Sequence, residues 1–282
     1  MLQRSPTYIA AVQQRDNNSW LARFLPISWT AKIRRIQFLI LPFLFIKFCR
    51  AFPDRARKFL KNEAAKRLPE GYPMNPNFEP NYNPWDQRLC ASPDGDFFQA
   101  IKNGTAEVVT AHIKQVTEKS IHLEGSDRVL TPDIIVTATG LKLIMAGGAK
   151  LSVDNEPIEV PQKHLWKGAM VEDVPNAAIV IGYTNASWTL GSDATAQFVT
   201  RLLKHMDKNG ISQAVPRVDS NSNMEDRSVL NLNSTYVVKA EGDLPKAGNM
   251  APWLPRSHYL KDLWEVKFGS ITKDMQFSRV ST

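Results

Sequence analysis

The chain has 282 residues, 43% hydrophobic and 22% charged, which excludes a disordered or fibrous protein and allows one large domain or two small ones. Two cysteines exclude a disulfide-stapled scaffold, and five scattered histidines with no H-x-x-x-H pair give no metal site. The net charge of +7 is local: residues 1–70 carry 14 basic and four acidic side chains, net +10, whereas the rest is net −3; with no base-stacking module in view, this favours a phosphate-bearing cofactor or an anionic membrane surface over nucleic acid.

Residues 1–9 read as a strand end and a turn, with Pro6 stopping any ladder. The first residues hold no apolar segment and no cleavage pattern of a secretory signal, so the reducing cytoplasm is the expected compartment. Residues 20–68 read as helical. The apolar run from Phe38 to Ile46 is nine residues long and is interrupted by Pro42, against the ~20 needed to span a bilayer. Two readings of this stretch stand side by side. One is a buried or kinked helix in a helical insertion. The other is an amphipathic element peripheral to a membrane, because residues 31–67 carry eleven Lys/Arg and two acids. A second helix runs from Asp54 to Leu68 and stops at Pro69 and Gly71.

Six prolines between Pro69 and Pro93 make residues 69–96 a loop, and loops this long are usually functional or linkers. Residues 97–103 fit a short helix. Short strands follow over Val108–Ile113, Gln115–Thr117, Ile121–Leu123 and Arg128–Leu130. The β-branched run Asp133–Ala138 predicts a buried strand that feeds a turn at Thr139-Gly140. Ala177–Ile181 predicts a second buried strand. It ends at Gly182, runs into the polar loop Tyr183–Thr189, and continues as a helix from about Ser192 to Asn209 with Gly210 as its C-cap. Strand, polar loop and helix in that order is how α/β proteins place a ligand at a strand's C-terminal end. Little is legible after Gly210.

Individual residues suggest chemistry without fixing it. The chain holds no G-x-G-x-x-G and no P-loop. Gly147-Gly148 reads as a turn, and Cys90 as an ordinary buried thiol rather than a nucleophile. Arg4 followed by Ser5, just after a strand-like start, is the pairing that accommodates the 2′-phosphate of NADP in a dinucleotide fold; a solvated surface arginine is the other reading. Arg88 lies in a proline-bounded loop with Trp85 and Asp86, where pairing with Asp86 would make it structural.

Four segments in order carry a resemblance: Gln3-Arg4-Ser5-Pro6-x-Tyr8, Pro84-Trp85-Asp86-x-Arg88-Leu89, Asp133–Gly140 and Gly182-Tyr183-Thr184-Asn185-Ala186-Ser187-Trp188-Thr189-Leu190. Together, over roughly residues 1–210, they resemble the C-terminal part of a class B flavoprotein monooxygenase of the Baeyer–Villiger type, near the ethionamide-activating branch. The resemblance implies an α/β fold: an incomplete two-dinucleotide-binding-domain flavoprotein with a helical insertion. Residues 1–132 would be a partial NADPH-binding domain with the insertion at about 20–70, residues 133–210 the C-terminal part of the FAD-binding domain, and 211–282 a tail.

The resemblance also implies FAD and NADPH as cofactors, O2 and a small ketone, sulfur or amine substrate as reactants, and oxygen transfer through a C4a-peroxyflavin. Arg88 would be the catalytic cation, since a guanidinium stays charged beside a peroxide. Arg4 and Ser5 would contact the NADPH 2′-phosphate, Thr139 and Gly140 the return to the FAD domain, and Asn185, Ser187, Trp188 and Thr189 the loop passing the flavin. The glycine motif that opens the family's FAD domain is not in this sequence. The chain is therefore expected to be a truncated portion that works with a complementing N-terminal chain, or else an inactive remnant.

Overall fold

The computed structural model describes residues 1–12, 23–87, 89–230 and 232–279. The chain forms two compact units, residues 1–139 and 140–282.

In the first unit, strand β1 (Leu2–Gln3) pairs in parallel with β4 (Val109–Thr110), and β2 (Ile9–Val12) in parallel with β3 (Cys90–Pro93). Between β2 and β3 come helices α1 (Ile27–Ala51) and α2 (Pro53–Ala65). Pro53 at the first position of α2 has the φ a helix start requires and no N–H to leave unpaired. Helix α3 (Asp96–Lys102) precedes β4, and an antiparallel meander of β5 (Ile113–Val116), β6 (Ile121–Leu123) and β7 (Val129–Leu130) follows. The core joins Ala64, Leu68, Phe78, Phe98, Ile101 and Val108. Phe78 meets Phe97 and Tyr72 edge to face and Phe98 at a tilt of 31°, and edge-to-face contact is an arrangement that aromatic quadrupoles prefer.

In the second unit, β8 (Leu151–Val153) and β9 (Glu156–Ile158) form a hairpin, as do β10 (Leu165–Trp166) and β11 (Met170–Val171). The 22-residue α4 (Trp188–Asn209) ends at Gly210, which takes the left-handed conformation at φ +62. Residues 211–279 then build regular structure: β12 (Gln213–Pro216) pairs with β15 (Met275–Ser278), β13 (Asp226–Ser228) pairs with β14 (Lys246–Gly248), and helices α5 (Thr235–Ala240) and α6 (Tyr259–Phe268) lie between. Trp166 and Trp253 are fully buried. Each satisfies its indole N–H, Trp166 on the Lys273 carbonyl and Trp253 on the Asp274 carboxylate, both at 2.9 Å.

Several expectations are corrected. Asp133–Ala138 is neither a strand nor buried: among the described residues it pairs with nothing, and Ile134 and Val136 are 81% and 85% exposed. Ala177–Ile181 is extended but also outside any sheet. Its odd residues are half-buried, and Ile179 N–H donates to the Ala169 carbonyl at 2.7 Å. A buried parallel strand needs hydrogen-bonded neighbours and cover on both faces, and the described residues supply neither run with them. A strand, β3, lies within the proline-rich stretch read as loop, because β2 offers it an edge. Its first residue, Cys90, is exposed, and the buried thiol is Cys49. Helix α1 runs unbroken through Pro42, with only Thr30, Ile46 and Cys49 buried, so it is not a core helix. Gly147-Gly148 is a turn as expected, both residues at positive φ.

The exposed run gives a direct check. In the isolated chain we expect Val136→Ser to change unfolding free energy by less than about 0.5 kcal/mol in urea titration, as at other exposed sites. A loss of about 1 kcal/mol or more would mean that the run is buried in solution.

Candidate functional site

Arg4 and Ser5 follow β1 directly and are exposed. The strand end that carries them is tied down by Gln3, whose side-chain amide donates to the Asn77 carbonyl and to Thr110 Oγ1, both at 2.9 Å. The predicted Arg88 lies outside the described residues; its setting does not. The Tyr8 hydroxyl donates to the Tyr82 carbonyl, and the Tyr82 hydroxyl to Thr7 Oγ1, each at 2.8 Å. Their rings meet edge to face at 5.5 Å. Burial pushes both phenols up, so they act as neutral donors. Arg57 of α2 donates to the Asn83 side-chain oxygen, and the Asn83 N–H to Asp86 Oδ2 at 3.1 Å. Asp86 is thus used within its own loop. Trp85 sits at φ +73, a conformation bulky residues rarely adopt, with its indole at the buried Cys49 thiol, which burial pushes up. Helices α1 and α2 therefore clamp the loop that leads to position 88.

Thr139 and Gly140 are exposed where the two units meet in sequence. Asn185, Ser187, Trp188 and Thr189 come together at the start of α4. Gly182 and Gly191 make this possible. A Cβ on Gly191 would lie 2.5 Å from the Ile181 carbonyl oxygen, and one on Gly182 2.4 Å from the Trp188 ring. The helix thus rests on the extended segment, with the indole over the glycine. Ser187 is the N-cap residue but its side chain does not cap; its hydroxyl pairs with that of Thr189 at 2.7 Å. No acid lies in the first turn; the Leu190 N–H donates to the Ser187 carbonyl at 3.2 Å, and the helix offers its remaining first-turn N–H groups and positive dipole end to a ligand. Asn185 Nδ2 donates to the Ser257 carbonyl at 2.9 Å, while Asn185 Oδ1 is buried with no partner among the described residues, a state costing about 1–3 kcal/mol.

Sequence reasoning missed the polar network behind this loop. Arg256 donates to the Gly191 carbonyl at 3.0 Å and to Thr195 Oγ1 at 2.6 Å, and stacks over Tyr183. The Tyr183 hydroxyl donates to Asp262 Oδ2 at 2.7 Å, and that of Tyr259 donates to Asp193. Burial raises both Tyr183 and Asp262. Lys167, lowered by burial, faces Glu265 across 3.4 Å. These partners stand 60 to 100 residues apart in the chain, which no local pattern reveals; the only signal was the i, i+3 spacing of Arg256, Tyr259 and Asp262.

Residues 182–189 fit one end of a flavin dinucleotide. The free N–H groups of α4, the Ser187 and Thr189 hydroxyls and the unpaired Asn185 carbonyl suit the polar edge of a flavin ring. The pyrophosphate end is not matched, because no glycine turn of the required kind exists in the sequence.

No protein-family model matches the chain. Over 279 residues, 96% of this chain, it is 40% identical to the FAD-containing monooxygenase EthA of Mycobacterium tuberculosis, covering 55% of that protein. It is 43% identical over 263 residues to the putative FAD-containing monooxygenase MymA of the same organism, covering 53% of it, and 40% identical to the probable FAD-binding monooxygenase AlmA of Acinetobacter baylyi, covering 52%. The fold resembles the crystal structure of OTEMO in complex with FAD and NADP, with a TM-score of 0.59 and 12% identity over 98% of this chain and 62% of that one. The α/β flavoprotein fold is thereby shown. By sequence the chain is similar, over nearly its whole length, to FAD-containing monooxygenases, and it spans about half the length of the curated relatives it matches.

The second unit carries a built-in pH dependence. His164 bonds Glu172 at 3.1 Å and Asp226 at 2.9 Å. The Glu172 hydrogen bond raises His164 most, against burial. Lys246 and then His164 hold Asp226 low, and Glu172 is low because its bonds from His164 outweigh burial. A raised histidine stabilises fully below about pH 6.5 and loses its contribution as pH rises through its folded value. The depressed acids stabilise above their unfolded values and lose this on acidification. We expect urea stability to fall as pH rises above about 6.5, and His164→Gln to flatten that limb; an unchanged slope would show that His164 is not the titrating group.

Proposed function

We propose that this chain is the part of an FAD- and NADPH-dependent monooxygenase that covers the flavin ring and holds the adenosine phosphate of NADPH, for oxygenation of a small ketone or a sulfur or nitrogen centre. The glycine turn for the flavin pyrophosphate would come from the part of the enzyme that this chain does not span, acting as a complementing N-terminal portion. The observation that carries the reading is the start of α4: an uncapped helix end, a hydroxyl pair and a buried unpaired carbonyl, held together by two glycines that admit no side chain.

When bound, reduced flavin supplies the electrons that activate O2. The chain's own residues do the rest. Arg4 and Ser5 offer a fixed cation and a hydroxyl to a 2′-phosphate. The α4 N–H groups orient the ring edge, and Trp188, half-exposed over Gly182, walls the substrate side. Arg88, at the end of the clamped loop, holds positive charge beside the reacting oxygen without giving up a proton. Thr139 and Gly140 carry the chain from the first unit to the second. The exposed run Asp133–Ala138 would enter the sheet of the complementing portion, which would give its backbone the partners it lacks here.

The test combines this chain with the part of EthA that it does not span, in the presence of FAD. We expect co-elution of bound flavin and NADPH consumption with a ketone or thioether. Arg4→Ala should raise KM for NADPH by about 10–100-fold, the loss of a charge-assisted hydrogen bond, with little change for NADH. Arg88→Ala should leave flavin reduction and abolish product. A folded, co-eluting pair that consumes no NADPH would overturn the proposal in favour of an inactive remnant.

A further inference from the structure

The helices between β2 and β3 serve that chemistry only by holding the loop before position 88, and their outer surface is unlike the rest of the molecule. Of the 25 residues of α1, three are buried. Ile27, Trp29, Ile36, Phe38, Leu41 and Leu44 are each more than half exposed. Apolar residues occupy nearly all sides of the helix between Ile36 and Ile46. A helix of this kind is stable when something apolar covers it, and an exposed patch of this extent marks an interaction surface.

Charge decides what covers it. Lys32, Lys47 and Arg50 on α1 and Arg55 and Lys58 on α2 are exposed. Three of these cations rest on aromatic rings within the apolar surface: Lys32 over Trp29, Lys47 over Phe43 and Arg55 over Phe52. Of the two acids in the segment, Glu63 is already engaged by Lys66 and Arg67. An apolar protein partner would bury these cations unpaired, at high cost. A second copy would set one basic face against another. A lipid surface accepts both features, acyl chains for the side chains of α1 and anionic headgroups for the cations at the ends of their stems.

The backbone fixes the mode. Among the described residues no single helix is long and apolar enough to cross a membrane; α1 and α2 reach that length and composition only as a pair bent by 118°, too sharp for one straight span. We infer that α1, with the basic residues at the α1–α2 bend, docks on an anionic lipid surface and lies in its plane. The oxygenation reading is independent of this inference and neither requires nor excludes it.

Sedimentation of the full chain with vesicles tests it, comparing phosphatidylcholine alone with phosphatidylcholine containing phosphatidylglycerol. We expect binding to the anionic vesicles, about tenfold weaker binding to neutral ones, and weakening by salt. Leu41→Asp with Leu44→Asp should remove binding through lost apolar contact, and Lys47→Glu with Arg50→Glu through lost charge. All four positions are exposed, and unchanged far-UV circular dichroism and melting would show that the fold is kept; should the Asp pair unfold, the charge-reversal pair decides. Equal binding by wild type and folded variants overturns the inference, as does indifference to phosphatidylglycerol. Light scattering supplies the remaining counter-result: a dimer that the Asp pair converts to monomer, with vesicle binding unaffected, would assign the face to a second copy.

Discussion

Helix α4 can rest on residues 181–182 only because positions 182 and 191 carry no side chains. A single added carbon at Gly191 would collide with backbone, which cannot swing aside as a flexible side chain can. The geometry around the loop follows from this contact. Trp188 lies on Gly182, Arg256 reaches the Gly191 carbonyl and Thr195, and the loop between them places Asn185 against Ser257. Tyr183 and Tyr259 then lock α4 and α6 through Asp262 and Asp193. The polar network is therefore less a binding device than the frame that keeps the start of the helix in place and free of capping side chains.

The first unit solves a related problem by different means. Its paired strands are two to four residues long, too short for hydrogen-bonded ladders to organise the unit. Organisation comes from the aromatic cluster around Phe78 and from side chains of the long loop that bond to strands. Gln3, Asn77 and Thr110 form one such tie, and Thr7, Tyr8 and Tyr82 another. The loop leading to Arg88 is thus positioned by β1, β2 and two helices, although it has almost no regular structure of its own.

Most helices and turns were legible in the sequence because their determinants are local. The helix expected from Asp54 is α2, which ends at Ala65 before the stop signals Pro69 and Gly71, Gly210 closes α4, and the meander of β5 to β7 follows short runs separated by turns. The failures concern neighbours. Ile134, Ile135 and Val136 carry the side chains of a buried strand, but a strand is a property of a pair, and no residue within the run reports whether its partner belongs to the same chain. The same holds for Ala177–Ile181. Within the candidate site, Asn185, Ser187, Trp188 and Thr189 were readable as a unit because they are contiguous. Arg256, Asp262 and Lys167 were not, since their partners lie far away in sequence. The tail after Gly210 looked uninformative because its strands pair across long intervals, β12 with β15 about 60 residues on and β13 with β14 about 20.

The junction of α1 and α2 has a mechanical consequence. Helix α1 extends about 37 Å at the usual rise per residue, and its last turns are held on α2 by the buried Cys49 and by Phe45 against Phe59. Cys49 also touches Trp85, and Arg57 grips Asn83. A stiff rod anchored near one end is a lever, with its fulcrum beneath the loop that ends at Arg88. Force applied to the far end arrives, multiplied by the ratio of the arms, at Trp85, the residue already held in an unfavourable backbone conformation and so the first with something to gain by moving.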